Sequence, residues 1–258
     1  MYFELKENRP HGTPENPFSQ YHISDVKRAF QIPVHWHDEL EIIYVKQGKL
    51  HVTISGENYI GSPKDAFVVS PGSLHLMGSP TGDADYYTFL FPLEYISFQT
   101  DDLMEKSILS PLKRGRLMIS PQINDTAADI CERLIEINAQ ISGKNAENTD
   151  AANIEAQFET KITLIKFIRK MWRNGLILEN GTNGINTTEK EMITYIWQNY
   201  TREISLKEFG AQFHLSEKYI SRYFKEHFHI TLSQYVNHLR LEHARQLLEE
   251  SATSVTEV

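Results

Sequence analysis

The chain has 258 residues, of which 40% are hydrophobic and 23% are charged, a composition typical of folded domains and not of disordered chains. This length suits two domains of ordinary size. The net charge of −8 gives no overall basic footprint for a nucleic acid, and residues 185–258 alone carry eight basic and ten acidic side chains. Any argument for DNA binding therefore has to come from local patterns.

Three features favour a cytoplasmic protein with no membrane partner. The first residues carry charges at Glu4, Lys6 and Arg9, where a secretory signal would have an apolar core. No apolar run approaches the roughly 18 residues that a membrane span needs. Cys131 is the only cysteine, which excludes an internal disulfide and fits a reducing compartment.

Residues 21–91 have the pattern of a β-domain. Along residues 40–44 and 50–54, the apolar side chains at even positions alternate with the side chains at odd positions, as in a strand with two different faces. A Gln-Gly turn separates the two runs. Apolar runs at 66–69 and 86–91 predict further strands. Many short strands separated by Gly, Pro and Asn turns are typical of a barrel or a sandwich.

Three histidines and a glutamate stand in a spaced pattern within this region. His35, His37 and Glu41 occupy odd positions, which share one face of a strand and would converge inside a barrel. The run His35-x-His37-x(3)-Glu41-x(6)-Gly48 is similar to part of the first motif of the cupin superfamily, and the Pro-Gly turn that ends at His75 is similar to the second. The resemblance implies a cupin-like barrel with the three histidines and Glu41 around its pocket.

The pocket suits two kinds of ligand. Imidazole is a common ligand of transition metals, so the histidines and Glu41 can hold a divalent ion. Alternatively they hydrogen-bond an organic effector, or are satisfied interior groups. Asp65 and Ser79 replace a glycine and an asparagine of the second cupin motif, so we expect no required cofactor and keep the metal as an alternative. Trp36 is a candidate to stack on a sugar ring, or else a core residue.

Helical periodicity replaces the β pattern after residue 121. Apolar residues recur at helical spacing over 130–141 and 154–172, with a polar break between them. The two stripes predict antiparallel helices that either mediate dimerisation or pack on the chain's own barrel. The Asn- and Gly-rich run 174–184 predicts a helix C-cap followed by a linker.

Capping signals predict an all-helical C-terminal part. A hydroxyl is followed three residues later by a carboxylate or amide at Thr188, Ser205, Thr231 and Ser254, which is the capping-box pattern, and Ser216 is a further N-cap. These signals predict helix starts near residues 189, 206, 217, 232 and 255.

Residues 206–225 have the pattern of a helix-turn-helix. One short helix ends near Phe213, a tight turn follows, and Gly210 stands where the two helices must approach closely. Ile220, Tyr223 and Phe224 form an inward stripe on the second helix.

The opposite face of the second helix carries polar and cationic residues at positions i, i+3, i+4 and i+7. Such a face can lie in the major groove, with Arg reading guanine and Lys reaching guanine or phosphate. The alternative is an ordinary solvated helix surface. The residues are Lys218, Ser221, Arg222 and Lys225.

The pattern Leu215-Ser216-x-x-Tyr219-x-Ser221-Arg222-x-Phe224-Lys225, with the long segment 231–248, resembles the AraC/XylS family of transcriptional regulators. The resemblance runs from Ile193 to Val258. It implies that Lys218, Ser221 and Arg222 face bases of promoter DNA and that Lys225 meets phosphate. It also implies a small-molecule effector, which in this family is often a sugar. It further implies a homodimer formed through the helix pair, and RNA polymerase as a partner if the protein is an activator.

The expected fold is α+β in two domains. A cupin-like effector-binding barrel covers 1–120, a helical dimerisation segment 121–174, a linker 175–187, and an all-α DNA-binding domain 188–258. The resemblance makes segment 231–248 a linker helix between two helix-turn-helix units. Because the last helix-start signal lies within one turn of Val258, we expect the second unit to be missing, which leaves the domain incomplete.

The sequence therefore predicts a ligand-responsive transcriptional regulator of carbohydrate or small-metabolite utilisation, and not an enzyme. The alternative is a metal-dependent cupin enzyme, an isomerase or dioxygenase, with a helical tail. The capped helix pair and the long helix after it favour the regulator, because an enzyme would have no use for them.

Overall fold

The computed structural model describes residues 11–24, 29–142, 149–180, 191–192, 195–196, 198–228, 231–237 and 239–241. The strands are β1 (Ser19–Ile23), β2 (Phe30–His35), β3 (Leu40–Gln47), β4 (Leu50–Ile54), β5 (Glu57–Gly61), β6 (Ala66–Val69), β7 (His75–Ser79), β8 (Asp85–Phe91), β9 (Leu117–Ile119), β10 (Gln122–Asn124) and β11 (Ile177–Glu179). The helices are α1 (Ser110–Lys113), α2 (Ala128–Ser142), α3 (Asp150–Arg173), α4 (Leu206–Phe213) and α5 (Glu217–Phe228), with single helical turns at Leu93–Ile96, Glu105–Leu109 and Asp125–Ala127.

Two antiparallel sheets make up most of the N-terminal domain, and β9 pairs with β11 in a third, two-stranded sheet. The larger has the order β1-β8-β3-β6-β10 and the smaller the order β2-β7-β4-β5. Side chains from both sheets share one buried cluster, which includes Ile43, Val52, Phe67 and Met77. The predicted strands at 40–44, 50–54, 66–69 and 86–91 are confirmed, and so is the cupin-like α+β fold class.

The helices α2 and α3 cover the other face of the larger sheet. Leu40 and Ile42 of β3 belong to the same buried cluster as Ile130 and Leu134 of α2. The strand β3 is therefore apolar on both faces, because one face meets the smaller sheet and the other meets helices. The sequence allowed the α2 stripe either to form a dimer contact or to pack on its own domain. In the structure it packs on its own domain.

The helix α3 has a second apolar face that the domain leaves exposed. Leu164 and Phe167 are buried in the core, whereas Ile154, Phe158 and Ile162 are 55%, 61% and 42% exposed. The stripe predicted over 154–172 thus points largely to solvent.

The predicted linker at 175–187 begins with a strand. Gly175 has a φ of 66°, as the predicted C-cap requires, and follows Asn174 at the end of α3. Residues Ile177–Glu179 then pair antiparallel with β9. A run of three strand-forming residues between two Asn-Gly turn signals is too short to show a strand periodicity. The sequence analysis therefore did not predict this strand. Residues 181–190, with the capping signal at Thr188, lie outside the described part of the chain.

The C-terminal domain starts its helices where the capping signals predicted. Ser205 Oγ accepts a hydrogen bond from Glu208 N at 3.1 Å, and Ser216 Oγ accepts one from Tyr219 N at 3.2 Å. Thr231 and Gln234 form the full reciprocal box, at 3.2 and 2.9 Å. The signal at Ser254 lies outside the described residues.

The two domains share a buried cluster. Phe209, Ile220 and Phe224 of the helix-turn-helix lie in it together with Val34 of β2 and Leu74, which immediately precedes β7. The smaller sheet therefore has the larger sheet on one face and the helix-turn-helix on the other.

Candidate functional site

The predicted histidines and Glu41 meet between the two sheets. His35 ends β2 and pairs in register with His75, the first residue of β7. His37 lies in the connection to β3, and Glu41 lies on β3 in the opposite sheet. The ring centroids are 4.1 Å apart for His35 and His75 and 5.0 Å apart for His37 and His75. We call these four residues the His–Glu centre.

A β-bulge in β2 turns His35 inward. Ile32 pairs with Met77 and His35 with His75, so β2 has one residue more than β7 between the two pairs. Ile32 packs against the core between the sheets, whereas Val34 packs against the helix-turn-helix. Proline cannot donate to a sheet ladder and is favoured at bulges, and Pro33 stands at this point.

Backbone carbonyls orient two of the imidazoles. His37 Nδ1 lies 3.1 Å from Glu39 O, and His75 Nδ1 lies 3.0 Å from Ser73 O. A carbonyl only accepts, so each Nδ1 carries the proton and donates it. Both Nε2 atoms therefore face the interior of the site, 3.3 Å and 3.0 Å from the same Glu41 Oε2.

The His–Glu centre is a buried charged group. Glu41 is 3% exposed, and His37 and His75 are 1% exposed. Burial by itself would raise the pKa of Glu41, but the hydrogen bonds and charges of His37 and His75 outweigh it and hold that pKa well below its usual range. An ionised carboxylate in this position needs a positive charge beside it, which protons on the imidazoles or a bound cation can supply.

The residues fit a divalent transition metal. One ligand nitrogen from each of His35, His37 and His75 lies within 4.8 Å of the other two. His75 Nε2 is buried, and apart from Glu41 Oε2 at 3.0 Å it has no polar partner among the described residues. Histidines fixed through Nδ1 by carbonyls, with Nε2 turned to a common point, are the usual arrangement of imidazole metal ligands.

Two further residues adjoin the centre that the sequence analysis did not select. The His11 ring lies 5.8 Å from that of His37, and His11 Nδ1 lies 3.0 Å from the Tyr21 hydroxyl. Tyr86 is fully buried, its hydroxyl has no hydrogen-bond partner among the described residues, and burial, with the charge of Glu41, raises its pKa. His11 lies in an irregular segment with no periodicity that would have marked it.

Trp36 lies partly buried against the cluster that Val34 and Leu74 share with the helix-turn-helix. It therefore packs between the domains. A stacking role toward a sugar ring stays a prediction.

The helix-turn-helix is built as the sequence predicted. His214 ends α4 in the left-handed conformation, with a φ of 56°. A Cβ on Gly210 would stand 2.5 Å from Leu215 O, so the turn closes against a residue without a side chain. Ile220, Tyr223 and Phe224 are buried.

The predicted recognition face of α5 is open to solvent. All four of its predicted residues are exposed, and the Arg222 guanidinium lies 5.8 Å over the Tyr219 ring. The exposed residues are Lys218, Ser221, Arg222 and Lys225.

A later helical segment braces this unit. Leu232, Tyr235, Val236 and Leu239 join its buried cluster. Arg240 donates to Tyr200 O at 2.7 Å and to Arg202 O at 2.8 Å, which ties this segment to the loop before α4. The remainder of the segment predicted over 231–248 lies outside the described residues.

The chain combines a buried imidazole-carboxylate centre between two sheets with a helix-turn-helix whose second helix exposes a cationic face. This combination is typical of a ligand-binding transcriptional regulator. Residues 17–156 match the AraC-like ligand binding domain, and residues 209–258 match a helix-turn-helix domain. The chain belongs to the AraC family. No helix in the described residues is long and apolar enough to cross a membrane.

The relatives are regulators. The chain is 26% identical to an uncharacterized HTH-type transcriptional regulator, YdeC, of Bacillus subtilis, over 98% of this chain and 86% of that protein. It is 25% identical to the HTH-type transcriptional activator RhaS of Klebsiella pneumoniae, over 88% and 77%. Among solved structures, ToxT of Vibrio cholerae with a bound unsaturated fatty acid aligns over 92% of this chain and 82% of that chain, with 10% identity and a TM-score of 0.40. The regulator, and not the cupin enzyme, is thus confirmed; as a member of this family the protein binds DNA and a small-molecule effector.

Proposed function

We propose that this protein is a cytoplasmic regulator of carbohydrate or small-metabolite utilisation that senses its signal at the His–Glu centre and reads promoter DNA with α5. The observation that carries the proposal is the pairing, in one chain, of a buried imidazole-carboxylate centre with an exposed cationic helix face. The relatives named transcriptional activators favour RNA polymerase as a further partner.

The sensing role rests on His35, His37, Glu41 and His75. In a metal-loaded form these side chains hold a divalent transition ion, whose positive charge would attract an oxygen-bearing effector. In a metal-free form the same groups hydrogen-bond the effector directly. Their burial makes either kind of binding strong, because water does not compete for the same groups.

The reading role rests on Lys218, Ser221, Arg222 and Lys225. In this proposal Arg222 makes a bidentate contact with guanine, and Lys218 and Ser221 contact neighbouring bases. Lys225, one turn further, binds phosphate.

The assembly that we propose is a homodimer formed through α3. Because α2 buries its stripe in its own domain, the exposed Ile154, Phe158 and Ile162 are the surface left for a partner. An apolar stripe of this kind at helical spacing suits a second copy of the same helix.

Selection from a random-sequence DNA pool tests the regulatory proposal. The full chain should enrich one sequence over the pool, and failure to enrich any sequence would count against it. Thermal unfolding with sugars and divalent metals tests the sensing part, because a ligand that binds only the folded state raises the melting temperature. His75→Ala should abolish the rise that a divalent metal causes, whereas Gln212→Ala, an exposed change on α4, should not.

A further inference from the structure

A cavity lies outside the two sheets, between the N-terminal segment 13–20 and the helix pair. Its volume is about 550 Å³, within the range of small-molecule sites. None of the four residues of the His–Glu centre lines it. We call it the helix cleft.

The walls of the helix cleft are held at several points. A turn closes on itself through Thr13 N to Asn16 O at 3.0 Å and Asn16 N to Thr13 O at 3.1 Å. From α3, Gln157 donates to Glu15 O at 3.0 Å, and the Tyr95 hydroxyl donates to Asn16 Oδ1 at 3.4 Å. The segment is therefore fixed to the domain on both sides, and the cleft is a gap between anchored walls.

The lining is rich in groups that both donate and accept hydrogen bonds. The side-chain amides of Gln20, Asn138 and Asn153 line it, with the hydroxyl of Thr160, a residue only 4% exposed. Gln20 Oε1 is buried and has no hydrogen-bond partner among the described residues. Because no described residue holds this acceptor, the Gln20 side chain can turn it toward a ligand donor in the cleft.

The lining offers an anion no partner charge. Glu15 and Asp150 are exposed carboxylates, and none of the described lining residues is Lys, Arg or His. A phosphate or carboxylate ligand would therefore lose its hydration without gaining a counter-ion. Phe18 and Ile137 add apolar surface on which the C–H face of a ring can rest.

From this geometry we propose that the helix cleft binds an uncharged polyhydroxylated small molecule, an unphosphorylated sugar or polyol. Each hydroxyl of such a ligand donates and accepts, as the amides do. A cationic amine fits less well, because Glu15 and Asp150 are exposed and an exposed ion pair contributes little. This site is separate from the His–Glu centre and does not depend on what that centre binds.

The test is a binding titration of the full chain, kept in EDTA, by calorimetry and thermal unfolding. The probes are neutral pentoses, hexoses and sugar alcohols, with glucose 6-phosphate and putrescine as charged contrasts. At least one neutral probe should raise the melting temperature, and neither charged probe should bind as tightly. No response to any neutral probe, or tighter binding of a charged one, would overturn the proposal.

Variants assign the binding to this cleft. Gln20→Met removes the partnerless amide, so it should leave the free protein as stable or more stable, while weakening the neutral ligand at least tenfold. Asn138→Ala should also weaken binding of the neutral ligand, whereas the exposed change Gln212→Ala should leave that binding unchanged. If His75→Ala abolishes binding while Gln20→Met and Asn138→Ala leave it unchanged, the ligand binds between the sheets and the proposal is wrong.

Discussion

The His–Glu centre depends on one ionised carboxylate held between two imidazoles. Glu41 accepts from groups whose own orientation is fixed by Glu39 O and Ser73 O. The spacing of His35, His37 and Glu41 predicted that these side chains share one face of a single strand, and this was wrong: His35 ends β2, His37 lies in a connection, and Glu41 lies on β3 of the opposite sheet. His75 was expected from its turn. The sequence could not show that His37 and His75 face the same carboxylate oxygen, because that depends on the two sheets packing together.

In the metal-free protein, Glu41→Gln should lower the free energy of unfolding at pH 7 by about 3 kcal/mol, because it breaks a buried ionic group. The depressed pKa of Glu41 gives the pH dependence its sign. The stabilisation that ionised Glu41 contributes is complete above pH 4.5, the ordinary pKa of a glutamate. It is lost as the pH falls from there toward the lower pKa that Glu41 has in the folded protein.

Urea unfolding in EDTA at several pH values measures this difference. The gap between wild type and Glu41→Gln should narrow below about pH 4.5, while the exposed Glu155→Gln should match wild type throughout. Equal stability of wild type and Glu41→Gln at pH 7 would show that the carboxylate does not stabilise the fold.

At the scale of elements, periodicity located the strands and helices, and tertiary packing decided their faces. The sequence showed the alternation of side chains along β3. It did not explain why both faces of β3 are apolar, because that depends on α2 and α3 packing on the outer face of the larger sheet. The stripes of α2 and α3 looked alike in sequence, but Ile130, Leu134 and Ile137 of α2 are buried, whereas most of the α3 stripe is exposed. The bulge in β2 and the strand β11 left no periodic signal, because a single added residue and a three-residue strand are too short for one.

Gly210→Ala should destabilise the C-terminal domain. Alanine gains up to about 1 kcal/mol in helix propensity, but its Cβ would stand 2.5 Å from Leu215 O, and the backbone shift it forces costs about 1–3 kcal/mol. Thermal unfolding should show a lower melting temperature for Gly210→Ala than for Gln212→Ala on the same helix. A higher one would mean that the turn relaxes freely.

Phe158→Lys should separate the proposed dimer into folded monomers. The side chain is 61% exposed in the single chain, so the change removes apolar contact area between copies without opening the core. Sedimentation velocity should report a dimer for wild type and for Leu103→Lys, whose side chain is 80% exposed outside α3. A wild-type monomer, or a Phe158→Lys dimer, would exclude this interface.

At the scale of the molecule, the layers follow the order helix pair, larger sheet, smaller sheet and helix-turn-helix. The His–Glu centre lies between the sheets, and Val34 and Leu74 reach from the smaller sheet into the core of the DNA-binding domain. The centre and the DNA-binding domain are therefore separated by the thickness of a single sheet. Linear patterns predicted both domains, but not this contact, which joins residues more than a hundred positions apart.

A fluorescence anisotropy titration of the full chain on its selected DNA, over a series of salt concentrations, measures whether the recognition face of α5 reads DNA. Arg222→Ala should weaken binding by about 1–3 kcal/mol and relax the preference at one base pair. Lys225→Ala should weaken binding to all sequences alike and lower the salt slope by about 1. Lys166→Ala, an exposed change on α3, should bind as wild type does. If Arg222→Ala and Lys225→Ala also bind as wild type does, this face does not read DNA.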